Sequence, residues 1–220
     1  MPPVKILIAD DHTLMRQGLR QICENLGNFT VVAEAETAAQ AVELSLTLNP
    51  DVILMDIVMP DMDGIQAIQQ IMRARPTSRI IALTMYREET FMLNSIRAGA
   101  RGYLLKSVNA EDLIAAMEAV HRGEYLIDPI IAARVLSELH VKAPDSSTVE
   151  RLTESEMAVL RQVAHGIDNR EIARALHISR YTVANRLRTI YRKLHVSNRT
   201  QAALYALQQG WATLTESPYI

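Results

Sequence analysis

Apolar and polar positions form a repeating pattern through the first half of the chain. Short, continuously apolar runs, typical of strands buried on both faces, occur five times, separated by stretches with apolar residues at helical spacing. The runs are KILIAD (5–10), TVVAEA (30–35), DVILMD (51–56), RIIALT (79–84) and GYLLK (102–106). Strict alternation of strand and helix predicts βαβ units with right-handed crossovers. We therefore predict an α/β fold with a doubly wound, five-stranded parallel sheet covered by helices on both faces.

Three of the stretches between or after the strands carry an apolar face. Their apolar positions are Leu14, Leu19, Ile22 and Leu26; Ile65, Ile68, Ile71 and Met72; and Leu113, Ile114, Met117 and Val120. Cys23 is the only cysteine in the chain, which excludes an internal disulfide and a multi-cysteine metal cage. It occupies an apolar helical position, so we expect it to be inert core packing.

The pattern changes near Gly123. The segment at 129–140 is compatible with a connecting helix, and the polar, Pro- and Ser-containing segment at 141–150 indicates a linker. The rest is helical in pattern, and four residues mark predicted helix starts: Thr153 (with Glu156, a capping box before a helix of about 13 residues), Asp168 (with Glu171), Ser179 and Asn198. The last helix is expected to stop at Gly210. We predict a first domain at 1–122, a linker with some helix at 123–147, a smaller all-α four-helix domain at 148–213 and a tail at 214–220.

Charge is distributed unevenly between these two parts. Residues 1–140 contain 12 Lys and Arg against 18 Asp and Glu, whereas residues 141–220 contain 11 against 7. An acidic N-terminal part and a basic C-terminal part indicate two modules, of which the second could bind a polyanion. No signal peptide is visible, and no run approaches the ~18 apolar residues of a membrane span. We therefore expect a soluble, cytoplasmic protein with no membrane partner.

Polar residues stand where four of the predicted strands end. They are Asp10 and Asp11, Asp56, Thr84, and Lys106. Ligands of parallel α/β sheets bind at the carboxyl ends of the strands, so we expect these side chains to converge. A single Asp at a strand end is more often only a turn or helix cap, but chance is a poor explanation for the whole set.

The converging groups suit one particular chemistry. Packed carboxylates repel each other unless a cation offsets their charge, and Mg²⁺ prefers such oxygen ligands. A cation and an ammonium around one carboxylate make sense if that carboxylate attacks a phosphoryl group and forms an aspartyl phosphate.

In the same region, we expect Asp61 and Asp63 to make turns, and Gly64 to supply a permissive backbone before the next helix. His12 is expected to be a loop residue and not a ligand.

The strand-end motifs DD, LMDIVMPDMDG, ALT and GYLLK closely resemble the receiver domain of two-component response regulators, over about residues 4–122. The resemblance implies a flavodoxin-like fold with Asp56 as the phosphoacceptor. It implies a site for Mg²⁺ (or Mn²⁺) built from the carboxylates of Asp10, Asp11 and Asp56 and the backbone carbonyl of Val58. It also implies that Lys106 and Thr84 contact the phosphoryl group and that Tyr103 is a switch aromatic, although plain core packing would equally suit Tyr103.

The basic segment DNREIARALHISRYTVANRLRTIYRKL has the form of a helix, a short turn and a helix. Its second helix places Val183, Leu187, Ile190 and Leu194 on one face, and Tyr181, Asn185, Arg188 and Arg192 on the opposite face. Arg and Asn side chains can bind guanine and adenine edges in the major groove, which is how a helix-turn-helix reads DNA. The alternative is an ordinary solvated basic face.

The segment from LTESEMAVL to YALQQG closely resembles the LuxR-type DNA-binding domain, so the whole chain resembles a NarL/FixJ-type response regulator. The family implies DNA contacts from Arg180, Tyr181, Thr182, Asn185, Arg188, Arg192 and Lys193, and a dimerisation helix at about 199–210. Ala184 and Arg186 depart from the family's usual TVKNH motif, so base preferences cannot be transferred.

The resemblances together predict a transcription regulator, not an enzyme beyond assisting its own phosphotransfer and dephosphorylation. A sensor histidine kinase or a small phosphodonor would phosphorylate Asp56, and the protein would bind double-stranded DNA as a homodimer. One alternative is a receiver that serves as a phosphorylation-independent dimerisation platform. Another is a phosphatase of the haloacid dehalogenase type, which would require a second acid where this chain has Val58.

Overall fold

A computed structural model of the chain describes residues 2–60, 62–86, 88–127, 131–132, 134–135 and 151–212. These residues belong to two compact units that divide after Ile127. Asp61, most of the predicted connecting helix, the predicted linker at 141–150 and the predicted tail lie outside the described residues.

The first unit is a sheet of five strands that alternate with five helices. The elements are β1 (Val4–Ala9), α1 (Thr13–Leu26), β2 (Phe29–Ala35), α2 (Ala38–Leu48), β3 (Val52–Asp56), α3 (Gly64–Ala74), β4 (Ile80–Thr84), α4 (Glu89–Ala98), β5 (Gly102–Leu105) and α5 (Ala110–Arg122). All neighbouring strands are parallel and lie in the order β2-β1-β3-β4-β5. The predicted doubly wound sheet is confirmed. The direction in which successive strands are added to the sheet switches between β1 and β3.

The central strands are buried on both faces, which explains their continuous apolarity. Every residue of β3 and β4 is buried, and the helices α1 and α5 pack together over one face of the sheet. Cys23 lies in this core with no exposed surface, and its sulfur is 4.0 Å from the sulfur of Met117. Burial raises the pKa of the Cys23 thiol to about 11, so the expected inert role is confirmed.

The predicted apolar face of α1 is partly wrong. Leu19 and Cys23 are buried, but Leu14 is 84% exposed and Leu26 is 58% exposed. Leu14 lies about 140° around the helix from Leu19, which places it away from the sheet. Leu26 is the last residue of the helix. The core side of the first turn is instead occupied by Arg16, which is buried.

The start of α3 is packed directly against the end of β3. Asp63 accepts a hydrogen bond from the amide of Ile65 at 2.8 Å, so its predicted turn role takes the form of a helix cap. The reason expected for Gly64 is wrong, because its φ is not in the left-handed region. Space is the reason: a Cβ on Gly64 would lie 2.0 Å from the carbonyl oxygen of Asp56 and 2.7 Å from Cα of Ile57.

The second unit has four helices in its described part at 151–212, as predicted. They are α6 (Glu154–Ala164), α7 (Asn169–Ala175), α8 (Arg180–Leu194) and α9 (Arg199–Gln208). All four predicted caps are confirmed, because the side chains of Thr153, Asp168, Ser179 and Asn198 each accept a hydrogen bond from a backbone amide of the helix that follows. The capping box of α6 is complete.

Helix α9 is connected to the start of α7 through the buried side chain of Arg199. Arg199 is 1% exposed; its guanidinium donates to the side chain of Asn169 at 3.0 Å and to the carbonyl of Ile167. All residues from Arg199 to Leu204 are buried, and the chain leaves the helix through Gly210, whose φ is +68°. None of the described helices has the length and apolarity needed to cross a membrane.

Replacing Gly64 with alanine is expected to destabilise the first unit by roughly 1–3 kcal/mol, because the new methyl group would collide with backbone atoms of β3. Gly18 is the matched control: it lies within α1, and a Cβ there would meet nothing within 4 Å. Gly18→Ala should therefore leave stability unchanged or raise it by up to about 1 kcal/mol. Urea unfolding followed by circular dichroism measures both, and equal effects would contradict the packing argument.

Candidate functional site

Three of the strand-end side chains meet in one pocket. The ammonium nitrogen of Lys106 lies 2.6 Å from Oδ2 of Asp56 and 2.7 Å from Oδ2 of Asp10. Lys106 follows β5, so its long side chain reaches past β4 to the ends of β3 and β1. Asp10 has no exposed surface and Asp56 is 2% exposed. The predicted convergence of these residues is confirmed.

Burial and ion pairing act in opposite directions on the charged groups of this pocket. The pKa of Asp56 is raised, because burial outweighs the lowering effects of Lys106 and of the Val58 amide, which donates to Oδ1 at 3.1 Å. Burial alone would lower the pKa of Lys106, but the two carboxylates outweigh burial and raise it. The ammonium is therefore held protonated between two acids.

The pocket carries more negative than positive charge. Asp10, Asp11, Asp56 and His12 each offer one ligand atom, and these atoms lie within 4.8 Å of one another. Oδ2 of Asp10 lies 2.7 Å from the Lys106 ammonium, and Oδ1 of Asp11 lies 2.8 Å from Nδ1 of His12. Clustered oxygen donors with one cation among three acids fit a hard divalent ion. The carbonyl of Val58 stays a predicted ligand.

His12 has more contact with the acidic residues than the sequence suggested. Its Nδ1 atom is 2.8 Å from Oδ1 of Asp11, and its amide donates to Oδ1 of Asp10 at 2.9 Å. Its side chain is 70% exposed, so it forms the rim of the pocket. The sequence shows that His12 directly follows Asp10 and Asp11, but adjacency alone does not predict that its ring turns back onto Asp11.

Thr84 and Tyr103 are both connected to the loop that follows β4. Thr84 is buried at the end of β4, where its hydroxyl accepts a hydrogen bond from the amide of Tyr86 at 3.1 Å. The Tyr103 hydroxyl donates to the carbonyl of Tyr86 at 2.7 Å. Thr84 thus lies at the predicted sheet edge, where its side chain contacts this loop and the side chain of Tyr103. The ring of Tyr86 is also 5.5 Å from that of Phe91.

In the second unit, α8 has one buried and one exposed side. The four predicted core positions, Val183, Leu187, Ile190 and Leu194, are at most 5% exposed. Among the predicted DNA-contacting residues, Arg180, Tyr181, Arg188 and Arg192 are exposed, whereas Thr182 and Asn185 are half-buried. Tyr181 is 76% exposed. The predicted division of the helix into an apolar and a basic side is confirmed.

Lys193 is the exception among the predicted DNA contacts. Its ammonium nitrogen donates to Oε2 of Glu156 at 2.8 Å and to the carbonyl of Arg151 at 3.3 Å, and its side chain is only 12% exposed. Glu156 belongs to the capping box of α6, where it also accepts from the amide of Thr153. Lys193 therefore joins α8 to α6, and this contact argues against its predicted role as a DNA contact.

Comparison with known protein families divides the chain in the same way. Residues 6–118 match the response regulator receiver domain, and residues 150–206 match the luxR family of bacterial regulatory proteins.

Similarity to known regulatory proteins extends over nearly the whole chain. The transcriptional regulatory protein YdfI of Bacillus subtilis is 40% identical, over 96% of this chain and 98% of YdfI. LiaR, from the same organism, is 39% identical over 92% of this chain and 96% of LiaR. The solved structure of the RcsB response regulator from Salmonella typhimurium has a TM-score of 0.54 at 30% identity, covering 95% of this chain and all of that one.

The ion pair between Glu156 and Lys193 makes the stability of the second unit pH-dependent. Burial acts to raise the pKa of Glu156, but Lys193 and Thr153 outweigh burial, and the pKa is lowered. The lowered pKa contributes stability above the unfolded value of about 4.3, and this contribution is lost as pH falls through the folded value. Glu156→Gln should cost roughly 1–2 kcal/mol at pH 7 and progressively less as pH falls below about 4.3, since glutamine keeps the capping box and only the charge is lost.

The only tryptophan, Trp211, follows α9, so its fluorescence reports unfolding of the second unit. Urea unfolding of wild-type and Glu156→Gln protein at several pH values gives the difference in the free energy of unfolding. A difference independent of pH would contradict an electrostatic role for Glu156.

Proposed function

Because this chain belongs to the two-component response regulators that join a receiver domain to a LuxR-type DNA-binding domain, and is thus a transcription regulator, we propose that phosphorylation of Asp56 controls its binding to DNA. One observation carries the proposal: the buried carboxylate of Asp56 is 2.6 Å from the Lys106 ammonium, beside two further acids. The family implies a sensor histidine kinase as the phosphodonor, and a small acyl phosphate could substitute for it.

In the proposed transfer, one carboxylate oxygen of Asp56 attacks the phosphorus atom of the donor. A P–O bond to Asp56 forms while the bond between phosphorus and the donor's nitrogen or oxygen breaks, and the donor keeps that electron pair. Lys106 remains protonated because two carboxylates raise its pKa, so its charge can stabilise the equatorial phosphoryl oxygens. The buried strand before Asp56 fixes the position of the nucleophile.

The same pocket would hold Mg²⁺, or Mn²⁺, through the carboxylates of Asp10, Asp11 and Asp56 and the carbonyl of Val58. When bound, the ion neutralises charge on the transferred group. The clustering of ligand oxygens from Asp10, Asp11 and Asp56 within 4.8 Å of one another supports this choice of residues.

A switch can start from the hydrogen bonds of the loop after β4. To donate to a phosphoryl oxygen on Asp56, the Thr84 hydroxyl would rotate away from the amide of Tyr86, a contact of 3.1 Å in this structure. Tyr86 also accepts from the Tyr103 hydroxyl, so losing one contact would loosen the other and let Tyr103 turn inward. A local charge that biases a two-state loop is a known form of regulation.

The proposed DNA-binding surface is the exposed side of α8. It consists of Arg180, Tyr181, Thr182, Asn185, Arg188 and Arg192, without Lys193. Placed in a major groove, the arginines can pair with guanine or phosphates and Asn185 with adenine. A homodimer formed on phosphorylation would engage two half-sites. If α9 forms that dimer, it must become more exposed, because its residues Arg199 to Leu204 are buried in this structure.

Incubating the full chain with acetyl phosphate and Mg²⁺ should add one phosphoryl group, which mass spectrometry after borohydride reduction should locate at Asp56. Asp56→Asn should abolish the addition, as should EDTA, whereas the nearby cap variant Asp63→Asn should still be phosphorylated. Phosphorylation that persists in Asp56→Asn would contradict the assignment. Sustained hydrolysis of small phosphate esters would favour a phosphatase instead.

Arg188→Ala should weaken binding to a duplex selected from random DNA by the wild-type protein about tenfold, because an exposed arginine of the recognition helix is lost. Arg174→Ala is the control, since it removes an equal charge from an exposed position on α7. It should have a much smaller effect in a fluorescence anisotropy titration at fixed salt. Equal losses from the two variants would mean that only net charge matters and that α8 does not read the groove.

A further inference from the structure

A buried arginine lies directly behind the acidic pocket. Arg16, in the first turn of α1, is only 4% exposed. One guanidinium nitrogen donates to the backbone carbonyl of Asp10 at 2.8 Å, and the other donates to Oε1 of Glu36 at 2.6 Å. The third nitrogen, Nε, lies 3.4 Å from Oε2 of Glu34. The polar partners of Arg16 are Asp10, Thr13, Glu34 and Glu36, and Asp56 and Lys106 are not among them, so Arg16 has no direct part in the proposed phosphoryl transfer.

Two hydrogen bonds hold the backbone of Asp10, and one of them comes from Arg16. The amide of Asp10 donates to the carbonyl of Ala35 at the end of β2, at 3.1 Å. Its carbonyl accepts from Arg16, so the peptide groups on both sides of Asp10 are fixed. A backbone rotation would move the carboxylate of Asp10, and because this side chain is fully buried it has little room to readjust.

We propose that Arg16 is a positioning residue for the divalent cation site, acting through the backbone of Asp10. This inference rests on the proposed function. The negative charges of Glu34 and Glu36 hold the guanidinium of Arg16 in place, and the guanidinium in turn holds the carbonyl of Asp10. Residues that orient metal ligands from outside the ligand set typically change metal affinity by 10–100-fold when removed.

The identity of the residue supports a geometric role. A planar guanidinium can donate in two fixed directions at once, toward the Asp10 carbonyl and toward Glu36. A lysine would keep the charge, but its single ammonium has no rigid fork with which to hold both partners. A residue that served only to neutralise the two glutamates would tolerate that exchange.

The chain contains a matched control one turn further along α1. Arg20 also pairs with Glu34, whose Oε1 accepts from its Nε at 2.6 Å, and with Glu24 at 2.9 Å. It is 37% exposed and makes no recorded contact with Asp10. Arg16 and Arg20 thus share a helix, a charge and an acidic partner, and they differ in the contact with the Asp10 backbone.

The test compares Arg16→Lys with Arg20→Lys in the full chain. Mg²⁺ is titrated while the NMR signals of the Asp11 and His12 amides are followed, and each variant's urea unfolding is measured in parallel. Arg16→Lys should weaken Mg²⁺ binding roughly tenfold, while Arg20→Lys binds like the wild type. Phosphorylation of Arg16→Lys by acetyl phosphate should need correspondingly more Mg²⁺ and recover most of its rate at saturating Mg²⁺.

The outcomes separate this inference from the function on which it rests. If the wild-type protein neither binds Mg²⁺ nor becomes phosphorylated, the proposed function fails. If wild type binds Mg²⁺ and Arg16→Lys binds it equally well, the positioning role is overturned. Equal weakening in Arg16→Lys and Arg20→Lys, together with equal losses of stability, would also overturn it, because the effect would then belong to the shared ion-pair network.

Discussion

The structure depends on the ion pair between Lys106 and the carboxylate of Asp56 at the end of a fully buried strand. Burial penalises that charge, and the 2.6 Å contact with Lys106 together with the Val58 amide works against the penalty. Breaking such a pair would leave an uncompensated charge in an apolar environment. The fold must therefore bring β5 close enough for Lys106 to reach across β4, and the strand order β1-β3-β4-β5 does so.

The surroundings of the pocket serve the same requirement. Helix α3 begins so close to Asp56 that only glycine fits at position 64, and the backbone of Asp10 is fixed by β2 and by Arg16. On the other side, Thr84 is tied to a loop whose exposed residues Met85 and Tyr86 can move with less loss of packing. One side of the pocket, with Asp10 and Asp56, is thus held rigidly. The other side, with Thr84 and the loop after β4, has hydrogen bonds that can be exchanged.

Much of this organisation could be predicted from sequence, because burial leaves a periodic signal. Continuous apolar runs marked all five strands, strand-end polar residues marked the pocket, and Val183 to Leu194 marked the two sides of α8. Contacts that depend on tertiary neighbours left no such signal. Lys193 looks like any basic residue of a DNA-binding helix, but it pairs with Glu156, 37 residues away. Arg16 looks like a solvated helix residue until β2 brings Glu34 and Glu36 beside it.

The central claim is that a phosphoryl group on Asp56 in the first unit changes the DNA affinity of the second. The most direct measurement is the affinity of wild-type and Asp56→Ala protein for one duplex, before and after treatment with acetyl phosphate and Mg²⁺. The account predicts that treatment raises the affinity of the wild type about tenfold, within the usual range of coupling between two sites, and leaves Asp56→Ala unchanged. Equal responses of the two proteins, or no response of either, would contradict it, and the second result would favour a receiver that acts only as a dimerisation platform.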